Sequence, residues 1–412
     1  MPASADTLRI DVARLGARLE ALGNVGAIAG GGVCRLALSD EDRAGRDQVV
    51  AWMKTLGLSV SIDAIGNVVG LRPGLEAGPP VMTGSHIDTV RTGGRYDGNL
   101  GVLAGLEVIQ VLNDAGITTR CPLAVAFFSN EEGARFSPDM MGSMVYVGAL
   151  PLDAALATTG IDGATVGDCL KRIGYAGAAP CGKASVHAYV ELHVEQGPVL
   201  EAEGFTIGAV QGVQGISWTE FTVRGVSNHA GTTPMRLRHD AGFVACAIAN
   251  QARNIAREMG GSQVATVGAL DLSPNLVNVI ANKAVFTVDL RNTDEAALQE
   301  AERRLHAYAD ELAAAEGVTL SSRPLARFEP VDFDPASIAL VERIARGLGH
   351  SVTRLPSGAG HDAQMLARIC PTAMIFVPSV GGISHNVKEF TSPADIEAGA
   401  NVLLHTLLRL AS

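Results

Sequence analysis

The 412-residue chain has no CxxC pair, no GxGxxG or Walker-type phosphate loop and no GxSxG elbow. Those gaps speak against zinc-ribbon, dinucleotide, nucleoside-triphosphate and serine-hydrolase readings. Aromatic residues make up only 4%, with two tryptophans, and form no stacking surface for bases. Basic residues are outnumbered too: 32 Lys and Arg stand against 43 Asp and Glu, a net charge of −11, with no basic cluster. A protein that neutralises nucleic-acid phosphates carries the opposite balance. The longest apolar runs are about the length of Leu123–Phe128, far short of the roughly 20 residues that span a bilayer.

The N-terminal MPASADTLRIDVARL lacks a basic stretch followed by an apolar block, so no secretion signal is expected. Cys34, Cys121, Cys169, Cys181, Cys246 and Cys370 are scattered and are expected as reduced, mostly buried thiols. The expectation is a soluble, cytoplasmic α/β protein with neither nucleic-acid nor membrane partners. What the chain has in excess is glycine, 47 residues or about 11% against a usual value of about 7%.

Helical spacing of Leu8, Val12, Leu15, Leu19 and Leu22 predicts a first helix, and Ser39 with Asp42 caps a second that runs to about Leu56. Leu58–Asp63 and Asn67–Leu71 read as a hairpin around Ile65-Gly66. Strand-like 81–85, a helix over about Leu100–Leu112 and the apolar run 122–129 then follow the doubly wound α/β pattern, whose sites lie beyond the strands' C-terminal ends. The middle reads otherwise. Strand 216–226, helix 239–259, strands 263–271 and 276–291, helix 294–316 and strand 318–324 make the β-α-β-β-α-β order of a ferredoxin-like unit. Helix, strand and helix at 338–349, 372–378 and 393–410 return to the first pattern. The simplest parse is a discontinuous α/β domain, 1–212 with 326–412, carrying an α+β insert at 213–325.

Histidines and carboxylates gather where strands should end. GSHIDTV places His86 and Asp88 after one strand, and GGRYDGNLG places Asp97 before a helix. NEEGARF places Glu131 and Glu132 after the next strand; ELHVEQGPVLE and VGGISHN place His193 and His385 after two more. A parallel sheet brings such ends together. Imidazoles and carboxylates without a thiolate suit one or two divalent ions of the zinc or manganese type. Of the adjacent glutamates, one can ligate while the other takes a proton from water. Asp88, two residues past His86, is placed to hold that imidazole's second nitrogen. His187, His239, His306, His350 and His405 match no motif and read as surface or helix residues.

These motifs, with NHAGTTPM, NVI and SGAGHDA, resemble the zinc-dependent amidohydrolase family of N-carbamoyl-L-amino-acid hydrolases, allantoate amidohydrolases and certain β-ureidopropionases. The resemblance runs from about residue 30 to the C-terminus and places the chain in the wider di-metal aminopeptidase–carboxypeptidase superfamily. Many of those peptidases have a carboxylate where His193 stands, so His193 favours the amidohydrolase branch. The resemblance implies a di-metal exopeptidase-like catalytic domain with a ferredoxin-like lid and dimerisation insert. It implies two divalent ions per subunit, zinc first, with manganese, cobalt and nickel as alternatives. Asp97 would bridge them, His86 and His193 holding one and Glu132 and His385 the other. Glu131 would be the general base, Asp88 its neighbour behind His86, and His229 the oxyanion donor, reaching the partner's site in a homodimer. Arg291, Asn278 and Gly360 would grip the substrate carboxylate, with Gln196 and His361 lining the site. Ala281 departs from the proline that relatives commonly carry after NVI. The implied reaction is hydrolysis of N-carbamoyl-L-amino acids to the amino acid, ammonia and carbon dioxide. Allantoate amidohydrolase or β-ureidopropionase activity, or a di-metal peptidase, are the alternatives. A metal-binding dimer without catalysis is the reading from another class, and the intact Glu131 argues against it.

Overall fold

The computed structural model describes residues 7–182 and 185–412. Residues 1–6, the start of the segment read above for a secretion signal, lie outside the described residues. The strands in chain order are β1 (Ser59–Ile62), β2 (Val68–Arg72), β3 (Val81–His86), β4 (Leu123–Phe128), β5 (Ala188–Val194), β6 (Ile207–Val213), β7 (Gly215–Arg224), β8 (Val264–Thr266), β9 (Leu270–Ser273), β10 (Lys283–Asn292), β11 (Thr319–Phe328), β12 (Val331–Asp332), β13 (Val352–Ser357) and β14 (Thr372–Val377). Two compact units result, Met1–Gly212 with Asp332–Ser412, and Val213–Val331. The second junction falls at 331/332 and not 325/326, because β11 continues to Phe328.

In the first unit the sheet runs β1-β2-β4-β3-β5-β14-β6-β12, with β13 joined to β6. β4, β3, β5 and β14 are parallel neighbours, and every residue in them is buried. That is why LAVAFF in β4 shows no alternation: both faces are covered. Register sets the strand ends level, with His86 beside Phe128 and His193 beside Phe376. β1 and β2 form the antiparallel hairpin. Helix Asn99–Asp114 is buried without a break from Asn99 to Ile109. Its buried Glu107 accepts from Arg14 Nε (2.8 Å) and Arg18 Nη1 (3.1 Å), which fastens helix Val12–Gly23 to it. Helix Asp40–Thr55 starts as its sequence dictates: Ser39 Oγ accepts the N–H of Asp42, and Asp42 in turn accepts from Leu38 N and Arg46 Nε. β13 and the helices Met141–Tyr146, Leu152–Ala157, Val166–Ile173 and Asp362–Leu366 were not anticipated.

The second unit orders its sheet β11-β7-β10-β8, with β9 also on β10, all antiparallel. Helices Ala241–Met259 and Glu295–Glu316 cover one face. β10 shows the alternation expected of a half-covered strand. Ala284, Phe286, Val288 and Leu290 are buried, with Phe286 stacked on Phe221 at 5.3 Å, while Asp289 and Arg291 take the other face. The strand read over 263–271 is broken into β8 and β9. The one read from 276 begins only at Lys283, because residues 276–282 place their hydrogen bonds elsewhere: Asn278 O accepts from Ala230 N and Asn228 O from Ile280 N. All six cysteines are free; only Cys169 is buried and Cys246 is exposed, so the thiols are less buried than expected. Among the described residues no helix is long and apolar enough to cross a membrane.

Gly84 in β3 is required by close approach, since a Cβ there would stand 2.1 Å from the carbonyl oxygen of Ala126 on β4. Gly84→Ala is expected to lower the unfolding free energy by about 1–3 kcal/mol, the usual cost of forcing extra volume into a packed core. Urea unfolding followed by circular dichroism checks this, and an unmoved midpoint would refute it.

Candidate metal centre

The first unit gathers His86, Asp88, Asp97, Glu131, Glu132, His193, Gln196, Gly360, His361 and His385 at the C-terminal ends of its parallel strands. Two of them come directly from the ladder, as His86 closes β3 and His193 is the penultimate residue of β5. Asp97 sits just ahead of helix Asn99–Asp114, whose N-terminal dipole favours a negative charge there. Gly98 between them has φ +64, and a Cβ on it would lie 2.4 Å from the His86 ring. Only glycine fits. Gln196 and His385 also have positive φ, 59 and 52, a strain of the kind that clusters at functional sites.

The Asp97 carboxylate is divided between two groups. Its Oδ1 faces His86 Nε2 at 3.4 Å and His193 Nε2 at 3.3 Å. Its Oδ2 faces His385 Nε2 at 3.4 Å, and that nitrogen lies 3.3 Å from Glu132 Oε2. The other ring nitrogens are used: His86 Nδ1 is 3.0 Å from Asp88 O and His193 Nδ1 is 2.9 Å from Val194 O. A carbonyl can only accept, so these Nδ1 atoms donate, and each Nε2 faces a carboxylate oxygen, with Gly98 N also 3.1 Å from that of His193. Such a pair needs a cation between its atoms, either a proton on the ring or a metal ion. Charge-assisted hydrogen bonds run at about 2.7–2.9 Å. Two donors each about 2.0–2.1 Å from one tetrahedral ion stand about 3.3 Å apart. The separations found are of the second kind. The residues therefore fit divalent ions: His86, His193 and Asp97 make one donor set, and Asp97, Glu132 and His385 another.

Without a metal, a ring proton takes that place. Burial disfavours charge on His86, but Glu131, Asp97 and Asp88 overcome it and hold that imidazole well above its ordinary pKa. His193 is raised in the same way, its burial outweighed by Asp97. Burial opposes ionisation of Asp97, yet His193, His385 and His86 hold its carboxyl well below the usual range. His361 is pushed the other way, by burial and then by His193, and stays neutral with Nε2 2.8 Å from Ser357 Oγ. Glu131 lies 3.4 Å from His86 Nε2. Burial lifts its carboxyl well above the ordinary range, against the pull of His86 and with Asp362, Glu132 and Asp97 adding to it. A carboxylate so placed is a ready proton acceptor.

Asp88 reaches the second nitrogen of His86 through its main chain. His86 Nδ1 meets the main-chain carbonyl of Asp88, while its carboxylate accepts the main-chain N–H groups of Glu131 (3.2 Å) and Glu132 (3.3 Å). Two residues past a strand end, the side chain fastens the neighbouring loop. Gln196 Nε2 donates to Asp97 Oδ2 at 2.9 Å, and its Oε1 is buried without a hydrogen-bond partner among the described residues. Three acidic residues were missed. Glu191 lies two positions before His193 on β5, hence on the same face, and accepts from Ser85 Oγ at 2.7 Å. Asp362 follows His361 and is pushed up to about 8 by burial and then by Glu191. Glu389 reaches the Asp97 loop.

His229, Asn278 and Arg291 belong to the second unit. His229 is exposed and its Nδ1 accepts the N–H groups of Gly231 (3.1 Å) and Thr232 (3.3 Å), so its neutral ring carries the proton on Nε2. Asn278 lies on the irregular segment opposite it, where Val279 bridges His229. Arg291 sits on the uncovered face of β10. Its guanidinium donates to Asp289, closest at 2.8 Å, and lies 5.8 Å over the Trp218 ring.

Asp97 and then Glu132 lift His385 up to about 10 from its ordinary 6.5, against its partial burial. In metal-free protein this pairing stabilises fully below pH 6.5 and is lost as pH rises toward 10. A metal needs the imidazole deprotonated, so apparent affinity is expected to climb across that window, and loading near neutral pH to release protons. Titration calorimetry in two buffers of different ionisation heat measures the release; identical heats would refute it.

Residues 82–409 match the model of peptidase family M20/M25/M40. An N-carbamoyl-L-amino-acid amidohydrolase of Rhizobium meliloti is 42% identical over 412 residues, covering 100% of this chain and 99% of the relative. A ureidoglycolate hydrolase of Arabidopsis thaliana is 34% identical over 424 residues, covering 99% of this chain and 88% of the relative. Among solved structures, an amidase of the hydantoinase/carbamoylase family from Burkholderia multivorans matches with a TM-score of 0.96 at 46% identity, over 98% of this chain and 99% of that one. With identity of this order along the whole length, and a family model that takes in the strand-end histidines and carboxylates, the chain belongs to peptidase family M20/M25/M40 and stands with its carbamoylase-type amidohydrolases.

Proposed function

We propose that the chain hydrolyses the ureido C–N bond of N-carbamoyl-L-amino acids, giving the L-amino acid, ammonia and carbon dioxide. The observation that carries the chemistry is the divided Asp97 carboxylate with Glu131 beside it; the substrate class follows the Rhizobium relative. In this reading His86, His193 and Asp97 hold one divalent ion, and Asp97, Glu132 and His385 the other. Zinc suits a set of nitrogen and oxygen donors, and manganese, cobalt and nickel are the alternatives. Such ions, when bound, polarise the ureido carbonyl and acidify a water.

The chain's own groups do the rest. Glu131 takes the water's proton on its carboxylate and passes it to the departing nitrogen, a task its raised pKa suits. His229 presents Nε2–H to the oxygen that becomes negative, and its turn fixes that tautomer before substrate arrives. The planar Arg291 guanidinium takes the substrate carboxylate, in competition with Asp289, and Asn278 and Gly360 complete the grip. Gln196 and His361 border the reacting group. The insert 213–331 acts as lid and dimerisation unit, and His229 serves the partner's site in a homodimer. Free, scattered cysteines fit a cytoplasmic setting. The Arabidopsis relative favours one other reading, a ureido acid of the ureidoglycolate type.

A panel of N-carbamoyl-L-methionine, N-carbamoyl-β-alanine, allantoate, ureidoglycolate and a dipeptide separates the readings. Turnover of the first is expected, and turnover of allantoate, ureidoglycolate or the dipeptide alone would sink the proposal. Glu131→Gln is expected to lose about 10²–10⁴-fold in kcat, the usual worth of a general base, with metal content kept. An unchanged rate would remove Glu131 from that role.

A further inference from the structure

Glu389 has no part in the chemistry above, yet it is buried against it. Its Oε1 accepts the main-chain N–H of Tyr96 at 2.9 Å and of Asp97 at 3.1 Å. Its Oε2 meets Ser384 Oγ at 3.1 Å, and the same hydroxyl lies 3.2 Å from Asp97 Oδ2. The Asp97 loop is shaped around this carboxylate: at Gly94 a Cβ would stand 2.1 Å from Glu389 Oε1. On its own segment, Glu389 N donates to Asn386 O, closing a turn that begins directly after His385. One side chain thus ties the loop that carries Asp97 to the segment that carries His385.

The two donor sets are supported unequally without it. His86 and His193 lie within β3 and β5, where the sheet ladder fixes their approach to Asp97 Oδ1. His385 lies in an irregular segment eight residues past the end of β14, with φ +52 and its side chain half exposed. No ladder sets its distance to Asp97 Oδ2.

We propose that Glu389 is a positioning residue that holds the Asp97 carboxylate in register with His385, and so governs retention of a divalent ion at the Asp97–Glu132–His385 set far more than at the His86–His193–Asp97 set. This rests on the two-metal reading above. Glu389 acts through main-chain N–H groups and Ser384, not on substrate.

The test uses full-length protein stripped by chelator and titrated with cobalt(II), followed by visible absorption and by chelator competition. Unsubstituted protein is expected to take up two ions. Glu389→Ala should lose about 10–100-fold in affinity for one of them, the usual effect of removing a partner behind a metal ligand, and hold the other unchanged. Glu389→Gln keeps an accepting oxygen and the shape, so it should lose less. Ser384→Ala, which removes only a hydroxyl, should move the same ion in the same direction and keeps the test alive if Glu389→Ala fails to fold. In each variant kcat should return toward its original value at saturating metal, with KM unchanged. Two ions held with unaltered affinity in both Glu389→Ala and Ser384→Ala, or both ions weakened alike, would overturn the proposal. If unsubstituted protein takes up no ion, the two-metal reading falls and this inference falls with it.

Discussion

A single buried carboxylate, that of Asp97, has to satisfy three imidazole nitrogens at 3.3–3.4 Å, and most of the first unit serves that arrangement. Two unit charges about 4 Å apart interact with roughly 4 kcal/mol at an effective dielectric near 20, so such a cluster assembles only where the backbone holds it. The parallel strands do this for His86 and His193, since their ladders leave the side chains no freedom to drift. Beyond the strands the task passes to loops. There Gly98 admits the His86 ring, Asp88 fastens the Glu131-Glu132 segment, and Gln196 and Ser384 close on Asp97 Oδ2.

The same demand explains the backbone strain. Asn130, Met140, Gln196 and His385 all adopt positive φ without being glycine. Asn130 directly precedes the two glutamates, and Gln196 and His385 carry side chains onto Asp97. Left-handed conformations at such residues cost about 1–3 kcal/mol each and persist where surroundings over-determine them. Here the surroundings are the side-chain contacts on Asp97 and the buried ends of the parallel strands. Leu38 and Asn275 share the conformation away from the site, so the link to function holds only at the residues beside Asp97 and the glutamates.

The second unit solves a different problem by the same means. Its histidine is not buried, so burial cannot fix its proton; two main-chain N–H groups donated to His229 Nδ1 do so instead. Its arginine lies on the uncovered face of a half-buried sheet, where its guanidinium meets Asp289 and the Trp218 ring.

Much of this was legible from residue order. The unbroken apolar run in β4 announced a strand covered on both faces, Ser39 with Asp42 announced a helix start, and histidines and carboxylates between glycines marked the strand ends. Period and local hydrogen bonding carry those signals, and both are properties of neighbours in sequence. The short helices were harder to see because five to eight residues make at most about two turns. Residues 276–282 looked like the start of a strand, and only pairing with residues 228–230 decided otherwise. The part taken by the Asp88 carboxylate and the reach of Glu389 to Tyr96 and Asp97 depend on which atoms meet in space. The sequence by itself determined which residue types stand at the strand ends, and so the class of chemistry. Tertiary structure alone decided which oxygen faces which nitrogen, because a contact across 292 positions of chain leaves no local trace in the order of residues.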